Sequence, residues 1–142
     1  MEAMIYRRQV NYYETDQMAI VHHSNYIRYF EEARLEMLDK LDLNYAALEE
    51  QGLIIPVLFV DCKYMVPLKY GDEFEIHSRM TKFDGIKMEV SYDIYKEAGK
   101  IHCTTGKSGH CFLDKAMKPV RMKRVYPEIY RHLQELSGGD RR

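Results

Sequence analysis

The sequence predicts an α+β domain in which a five-stranded antiparallel sheet wraps around one long helix. Three observations carry this prediction: an alternating segment near the amino terminus, one amphipathic helix, and four strand-like segments joined by short turns. One helix laid on an antiparallel sheet is the simplest arrangement that buries both apolar faces. With 142 residues, the chain is long enough to bury a core without disulfides or metal ions. We predict that residues 1–137 form one domain and that residues 138–142 form a disordered tail.

The first strand and the long helix are recognisable from the spacing of their apolar residues. Residues 5–12 alternate between apolar and polar side chains, which is the period of a half-buried strand. Farther along, apolar residues recur every three or four positions, as expected for an amphipathic helix. These residues are Tyr26, Phe30, Ala33, Met37 and Leu41. Ser24 or Asn25 is predicted to cap this helix, which therefore begins just after His23.

Four strand-like segments follow a short stretch that is predicted to be helical and to end at Gly52. They cover residues 54–65, 73–83, 86–95 and 101–113, and a last helix begins at Pro127. Asp84-Gly85 lies between two of these segments and predicts a type I′ hairpin turn, which requires positive φ at both central residues. The segment 54–65 is predicted to be a sheet edge that pairs with a second subunit. We therefore expect a homodimer or homotetramer.

Composition and charge exclude several classes of function. The net charge of −1, from 21 basic and 22 acidic residues, provides no electrostatic footprint for a nucleic acid or an anionic membrane. No apolar run approaches the roughly 20 residues of a membrane-spanning helix, and the amino terminus lacks the apolar core of a signal peptide. Three unpaired cysteines, Cys62, Cys103 and Cys111, indicate a reducing compartment. The expected protein is soluble and cytoplasmic.

The loop between the first strand and the long helix concentrates polar groups. Residues 12–23 contain two tyrosines, two carboxylates and two histidines next to a helix amino terminus, where free backbone N–H groups and the helix dipole favour negative charge. An acyl-transfer site needs a base or nucleophile and donors directed at an oxyanion. On spacing alone, a capped loop in which Asp16 bonds to the backbone explains the same residues equally well.

Three motifs resemble the signature of the hot-dog-fold 4-hydroxybenzoyl-CoA thioesterase-like family. They are Tyr12-Tyr-Glu-Thr-Asp16, Val21-His-His23-Ser-Asn-Tyr26 and Tyr29-Phe-Glu31-Glu-Ala-Arg34. The chain is most similar to the bacterial acyl-CoA thioesterases associated with the Tol-Pal genes, and the similarity extends through Pro67-Leu-Lys-Tyr70-Gly71-Asp72. The resemblance implies a hot-dog fold and hydrolysis of an acyl-CoA thioester to the free acid and coenzyme A.

The resemblance also implies roles for individual residues. Asp16 would be the essential carboxylate, as general base for water or as nucleophile, and Tyr12 and His23 would complete the catalytic site. Backbone N–H groups around His23 would polarise the thioester oxygen. Coenzyme A would lie across a subunit interface in contact with Tyr26 and Lys69, and Lys118 and Arg121 are further candidates for its phosphates.

Two positions depart from the family pattern. The family often has glycine three residues after the aspartate, where this chain has Ala19, so a loop that needs positive φ would be strained here. The residue before His23 is commonly tyrosine or asparagine, whereas here it is His22, which would affect acyl specificity.

Several alternatives stay open at this point. Glu31 on the helix is a second candidate for the principal carboxylate, Glu14 is expected to be solvated or paired, and Arg34 is expected to form a structural ion pair. No metal is expected, because His102 and His110 lie about 26 Å apart on one strand at 3.3 Å per residue. No cofactor is expected beyond coenzyme A as part of the substrate. A non-catalytic acyl-CoA binding module of the same fold is the alternative function, and an acyl-thioester dehydratase is a third.

Overall fold

The computed structural model describes residues 1–138 and contains five strands and four α-helices within that range. The strands are β1 (Met4–Gln9), β2 (Val57–Tyr64), β3 (Glu73–Phe83), β4 (Lys87–Lys96) and β5 (Ile101–Cys111), and the helices are α1 (Ser24–Lys40), α2 (Tyr45–Glu50), α3 (Met122–Val125) and α4 (Pro127–Leu136). Apart from Gly138, the predicted tail lies outside the described residues.

The five strands form one antiparallel sheet in the order β1-β3-β4-β5-β2. The two edges are therefore β1 and β2, which confirms the prediction that the second strand is an edge. Short turns join β3, β4 and β5, while β2 reaches its place beside β5 after the long helix. This arrangement confirms the predicted α+β architecture.

Helix α1 packs its apolar side against the inner face of the sheet. Tyr29, Phe30, Ala33 and Met37 are all buried, and the phenyl ring of Phe30 stacks on the ring of Tyr92 in β4 with centroids 4.4 Å apart. Buried apolar surface of this kind is the main favourable term in folding. The helix therefore fixes where its own amino terminus, and the loop before it, lie relative to the sheet.

Local structure departs from the predictions in two places. Strand β1 ends at Gln9, and Tyr12–Glu14 form a turn of 3₁₀ helix in place of the predicted strand end. At the β3–β4 turn only Gly85 has positive φ, so the type I′ prediction is wrong. There the Asp84 carboxylate instead accepts the amides of Ile86 and Lys87 at 2.9 and 2.7 Å.

The three cysteines are strand residues. Cys62 lies in β2, Cys103 and Cys111 lie in β5, and all three are free thiols. Within residues 1–138, no helix is both long enough and apolar enough to cross a membrane.

Candidate active site

The loop from Tyr12 to His23 folds back on itself as a narrow hairpin. Its two arms are joined by the amide of His22 donating to the Glu14 carbonyl at 2.8 Å and by the amide of Asp16 donating to the Ile20 carbonyl at 2.9 Å. At the closed end the amide of Ala19 donates to the Asp16 carbonyl at 2.9 Å. Asp16 therefore lies at the tip of a tight turn and not in a flexible segment.

Ala19 has a φ of 66°, which is the left-handed region that a Cβ disfavours. The strain expected at this position, where the family often has glycine, is present. The turn keeps this conformation because the hairpin hydrogen bonds on both sides of Ala19 hold it.

Buried Glu14 anchors the hairpin to the body of the protein. Its carboxylate accepts hydrogen bonds from the backbone amide of Asn11 at 2.9 Å, the guanidinium of Arg8 at 2.8 Å and the hydroxyl of Tyr29 at 2.8 Å. Its backbone carbonyl also accepts the side-chain amide of Asn25 at 2.9 Å. Of the two expected states of Glu14, the paired one is correct, and its role is structural.

The raised pKa of the Tyr29 hydroxyl shows that this anchor is enclosed. Burial and the hydrogen bond to the Glu14 carboxylate both raise the pKa of the Tyr29 hydroxyl far above its usual range. The Arg8 guanidinium lies over the Tyr29 ring, 4.6 Å from its centroid, and bridges from Glu14 to Glu32. The hairpin base is thus a hydrogen-bonded cluster held by residues of β1 and α1.

The carboxylate of Asp16 is half-buried, and only one of its oxygens is used by the protein. Oδ1 accepts the amide of Met18 at 2.8 Å. Among residues 1–138, no hydrogen bond or ion pair reaches Oδ2. One oxygen therefore orients the group, and the other is available to a substrate or a water molecule.

The start of α1 holds the two histidines side by side. Their rings stack with centroids 4.2 Å apart, and His22 Nδ1 accepts the amide of Ser24 at 3.1 Å. His23 occupies the N-cap position, so the prediction that Ser24 or Asn25 caps the helix is wrong, whereas the predicted start just after His23 is confirmed. The side-chain amide of Asn25 donates instead to the backbone carbonyl of Glu14, which lies across the hairpin.

The backbone amide of His23 is a free donor next to this helix terminus. The next three amides are engaged: Ser24 as described, Asn25 with the His22 carbonyl and Tyr26 with the His23 carbonyl. In the described part of the chain, the His23 N–H has no acceptor. An unpaired N–H at a helix amino terminus is a ready donor to a developing negative charge.

The structure brings the hairpin next to Lys69 and Tyr70, whereas, within the described chain, the three predicted catalytic residues are not joined by hydrogen bonds. The hairpin lies against residues 67–70: Ile20 pairs with Lys69, the Val21 amide donates to the Leu68 carbonyl at 2.8 Å, and the exposed Tyr12 ring meets Tyr70 edge-on at 5.5 Å. Within residues 1–138 no hydrogen bond links Asp16 to Tyr12 or to His23.

Tyr26 and Lys69 differ in how accessible they are. Tyr26 is only 3% exposed in the single chain and packs against Tyr29 and Tyr64, and burial raises the pKa of its hydroxyl to about 12. The Lys69 side chain is exposed.

An open depression of about 490 Å³ lies on the Glu14 side of the hairpin. Its lining residues are Tyr13, Glu14, Thr15, His22, Ser24, Asn25, Arg28 and Glu32.

The histidines considered for a metal lie on opposite faces of the sheet, although their even spacing along one strand predicts that they share a face. His102 is exposed and contacts Asp93, whereas His110 is completely buried. A register irregularity between Ile94 and Tyr95, opposite this part of β5, breaks the simple alternation. Residues 1–138 contain no cluster of three or more metal-ligating side chains.

The five-stranded antiparallel sheet with its long helix is the fold of the hot-dog thioesterases. The profile of the Thioesterase-like superfamily matches residues 10–133. The chain therefore belongs to this superfamily of hydrolases.

Individual relatives are consistent with this assignment. A protein of Aquifex aeolicus, provisionally named an esterase, is 41% identical over 109 residues, which cover 77% of this chain and 84% of the relative. A Bacillus subtilis protein, provisionally named an acyl-CoA thioesterase, is 32% identical over 120 residues, covering 84% and 87%. The structure of a DHNA-CoA thioesterase from Staphylococcus aureus superposes with a TM-score of 0.92 at 29% identity and covers 97% of this chain and 93% of that one.

Proposed function

We propose that this protein is an acyl-CoA thioesterase that hydrolyses an acyl-CoA to the free carboxylic acid and coenzyme A, with Asp16 as the essential carboxylate. The observation that carries the proposal is the state of Asp16. One oxygen is oriented by the amide of Met18 and the other has no partner in the described chain. A carboxylate held in this way can receive a proton from water or attack a carbonyl carbon directly.

The chemistry of a thioester suits a site with few groups. The leaving thiolate has a pKa of about 8 to 9, so it departs with little acid assistance. The main barrier is the attack on the carbonyl, which requires a placed carboxylate and a donor for the oxyanion. The free amide of His23, beside the α1 amino terminus, is the donor that we propose. One such donor typically contributes about 2.7–4 kcal/mol to lowering the barrier.

The other predicted residues take supporting roles in this proposal. Tyr12 and the His23 side chain border the carboxylate loop and complete the catalytic site. The exposed ammonium of Lys69, a residue that forms an isolated β-bridge with Ile20, would meet the anionic part of the substrate. Tyr26 would contact substrate only where a second subunit completes the pocket, because it is buried in the single chain.

The finer features of the function rest on the sequence motifs. We propose a cytoplasmic homodimer or homotetramer related to the Tol-Pal-associated thioesterases. We also propose that the enzyme needs no metal or cofactor besides the coenzyme A of its substrate, binds no nucleic acid and does not insert into a membrane. The acyl group is left open between aliphatic and aromatic chains.

Replacing the carboxylate tests the proposal directly. We expect Asp16→Asn to fold normally and to lower kcat for acyl-CoA hydrolysis by about 10²–10⁴-fold, measured as thiol release over short, long and aromatic acyl-CoAs. The matched variant is Glu31→Gln, which removes an exposed carboxylate of α1 and the alternative candidate. It should retain full turnover.

Three outcomes would contradict the proposal. A folded Asp16→Asn enzyme with normal kcat would exclude Asp16, and loss confined to Glu31→Gln would assign the reaction to the helix. Tight acyl-CoA binding by the wild-type protein with no thiol release would instead indicate the non-catalytic binding module.

A further inference from the structure

His22 is held through its backbone and its side chain at the junction between the hairpin and α1. Its amide donates to the Glu14 carbonyl at 2.8 Å, and its carbonyl accepts the amide of Asn25 at 2.9 Å. Its ring nitrogen Nδ1 accepts the amide of Ser24 at 3.1 Å. Because the side chain is exposed, its position is set by these hydrogen bonds and not by packing in the core.

The contacts with Ser24 define the tautomer of the His22 ring. A backbone N–H can only donate, so Nδ1 is the acceptor and the proton of the neutral ring lies on Nε2. The Ser24 hydroxyl, whose Oγ lies 2.9 Å from the same nitrogen, can likewise only donate to it. The N-cap residue His23 makes no side-chain bond to the helix. His22 therefore supplies the acceptor that an N-cap side chain normally offers to the first turn.

The peptide between His22 and His23 determines where the free amide of His23 points. This peptide is trans, and in a planar trans peptide the C=O and N–H groups point in opposite directions. The His22 carbonyl is directed at the Asn25 amide in the first turn of α1. The N–H of His23 therefore points away from that turn, off the amino terminus of the helix, where a developing negative charge is favoured.

The His22 ring also supports the side chain of His23. The two rings stack with centroids 4.2 Å apart and an angle of 27° between their planes. His22 thus restrains both the amide and the imidazole of His23, which are the two groups of that residue in the proposed reaction.

We propose that His22 is a positioning residue. By accepting the Ser24 amide, its Nδ1 keeps the peptide between His22 and His23 turned so that the His23 N–H faces the thioester oxygen. This inference rests on the proposed function and goes beyond it, because it assigns a role to a residue that does not touch the reacting atoms. Without the acceptor, the Ser24 amide would be a second free donor and the peptide before it could rotate. A displacement of about 1 Å in a catalytic group costs up to about 100-fold in rate.

Two substitutions of equal shape separate the acceptor from the rest of the side chain. His22→Asn keeps an acceptor, since the asparagine Oδ1 is as many bonds from the backbone as the histidine Nδ1, and asparagine commonly accepts the amide two residues on. His22→Leu has the shape of asparagine without the acceptor. Both remove the ring, so loss of the stack on His23 is common to the pair.

The wild type and both variants are assayed by thiol release from acetyl-, palmitoyl- and benzoyl-CoA. We expect His22→Leu to lower kcat by about 10–100-fold and to keep KM within about twofold, because the donor acts on the oxyanion formed during the reaction. His22→Asn should turn over at least about five times faster than His22→Leu. Urea denaturation checks that both variants fold.

Nuclear magnetic resonance detects the hydrogen bond without turnover. In the wild type, the nitrogen chemical shifts of the His22 ring should show a bare Nδ1 and a protonated Nε2. The Ser24 amide should exchange with solvent more slowly than the His23 amide, and this protection should persist in His22→Asn and disappear in His22→Leu. If the wild type releases no thiol from any of the three acyl-CoAs, the proposed function fails, while these signals still show whether His22 holds the backbone.

Three results would overturn the positioning role. A wild-type His22 ring protonated at Nδ1 would exclude the acceptor. Equal kcat values for His22→Asn and His22→Leu would show that turnover does not depend on it. A raised KM with unchanged kcat in His22→Leu would show that the side chain binds substrate instead.

Discussion

At the scale of single residues, Ala19 offers a direct test of strain in the active-site loop. Its φ of 66° costs a residue with a Cβ about 1–2 kcal/mol, and glycine avoids that cost while making the unfolded chain more flexible. We expect Ala19→Gly to raise the free energy of unfolding by about 0.5–1 kcal/mol, measured by urea denaturation, with turnover unchanged.

A second alanine serves as the control for this substitution. Ala98, in the turn between β4 and β5, has a φ of 57° and lies in a different loop. Ala98→Gly should give a similar gain in stability. If Ala98→Gly stabilises the protein and Ala19→Gly does not, the left-handed conformation of Ala19 is not the source of strain.

Some features of individual site residues could be predicted from the sequence, and others could not. The strain at Ala19 was predictable, because the family that the chain resembles often has glycine at this position. The burial of Glu14 was not, since its partners Arg8 and Tyr29 are brought to it by β1 and by α1. Arg34 likewise lacks the expected ion pair within residues 1–138 and donates to the Tyr92 hydroxyl at 3.0 Å.

At the scale of elements, periodicity predicted the strands well where one face is buried. The bounds of β3 match the prediction, 73–83, because Phe74, Ile76 and Met80 are buried and alternate with more exposed polar residues. Errors fall where tertiary contacts bend the chain: β1 ends before Val10, whose amide donates to the Asp72 carbonyl at 2.9 Å, and β2 begins only at Val57. Such contacts join segments about 60 residues apart and leave no local pattern.

A buried chain of hydrogen bonds runs from α1 through residues of β4 and β5 to the residue before β2. Arg34 donates to the Tyr92 hydroxyl, Tyr92 contacts Ser108 Oγ at 2.6 Å, and Ser108 contacts His110 Nε2 at 2.7 Å. His110 Nδ1 then lies 3.1 Å from the Pro56 carbonyl. Arginine only donates and a carbonyl only accepts, which fixes the direction of every hydrogen bond in the chain. The Tyr92 hydroxyl donates to Ser108, the Ser108 hydroxyl donates to His110 Nε2, and the Nδ1–H of a neutral His110 donates to the Pro56 carbonyl.

This chain predicts a specific pH dependence of stability. Burial, with Arg34 nearby, lowers the pKa of His110 from 6.5 to about 4. Between these values the unfolded chain binds a proton that the folded chain does not, so the free energy of unfolding falls as the pH is lowered. We expect a loss of about 1.4 kcal/mol per pH unit, about 3 kcal/mol in total, and no contribution above pH 6.5, where the imidazole is neutral in both states.

Two variants isolate this contribution from that of the carboxylates. His110→Asn keeps a donor and an acceptor but cannot titrate, so its stability should depend less steeply on pH between 4 and 6.5, measured by urea denaturation at several pH values. His102→Gln removes an exposed histidine and should keep the wild-type slope. Identical slopes for His110→Asn and wild type would show that His110 does not hold a depressed pKa.

At the scale of the whole molecule, the sheet ends in an unpaired apolar edge. Val57, Leu58 and Phe59 at the start of β2 are 50%, 52% and 41% exposed, and a register irregularity lies between Val57 and Phe59. An exposed apolar edge strand is a template for pairing with another chain. Partner pairing through β2 would cover this edge and set one candidate site close to the other protomer.

We therefore expect the protein to sediment as a dimer or tetramer and Leu58→Lys to shift it toward monomer, because a lysine on an edge strand opposes strand pairing. Ile86→Lys adds the same charge at an exposed apolar residue of the β3–β4 turn, away from both sheet edges, and should leave the assembly intact.

Sedimentation of the wild-type chain as a monomer at micromolar concentration would rule out the β2 interface. An unchanged assembly in Leu58→Lys would place the interface elsewhere. If Tyr26 meets substrate only in the assembly, monomeric Leu58→Lys should also lose turnover while remaining folded.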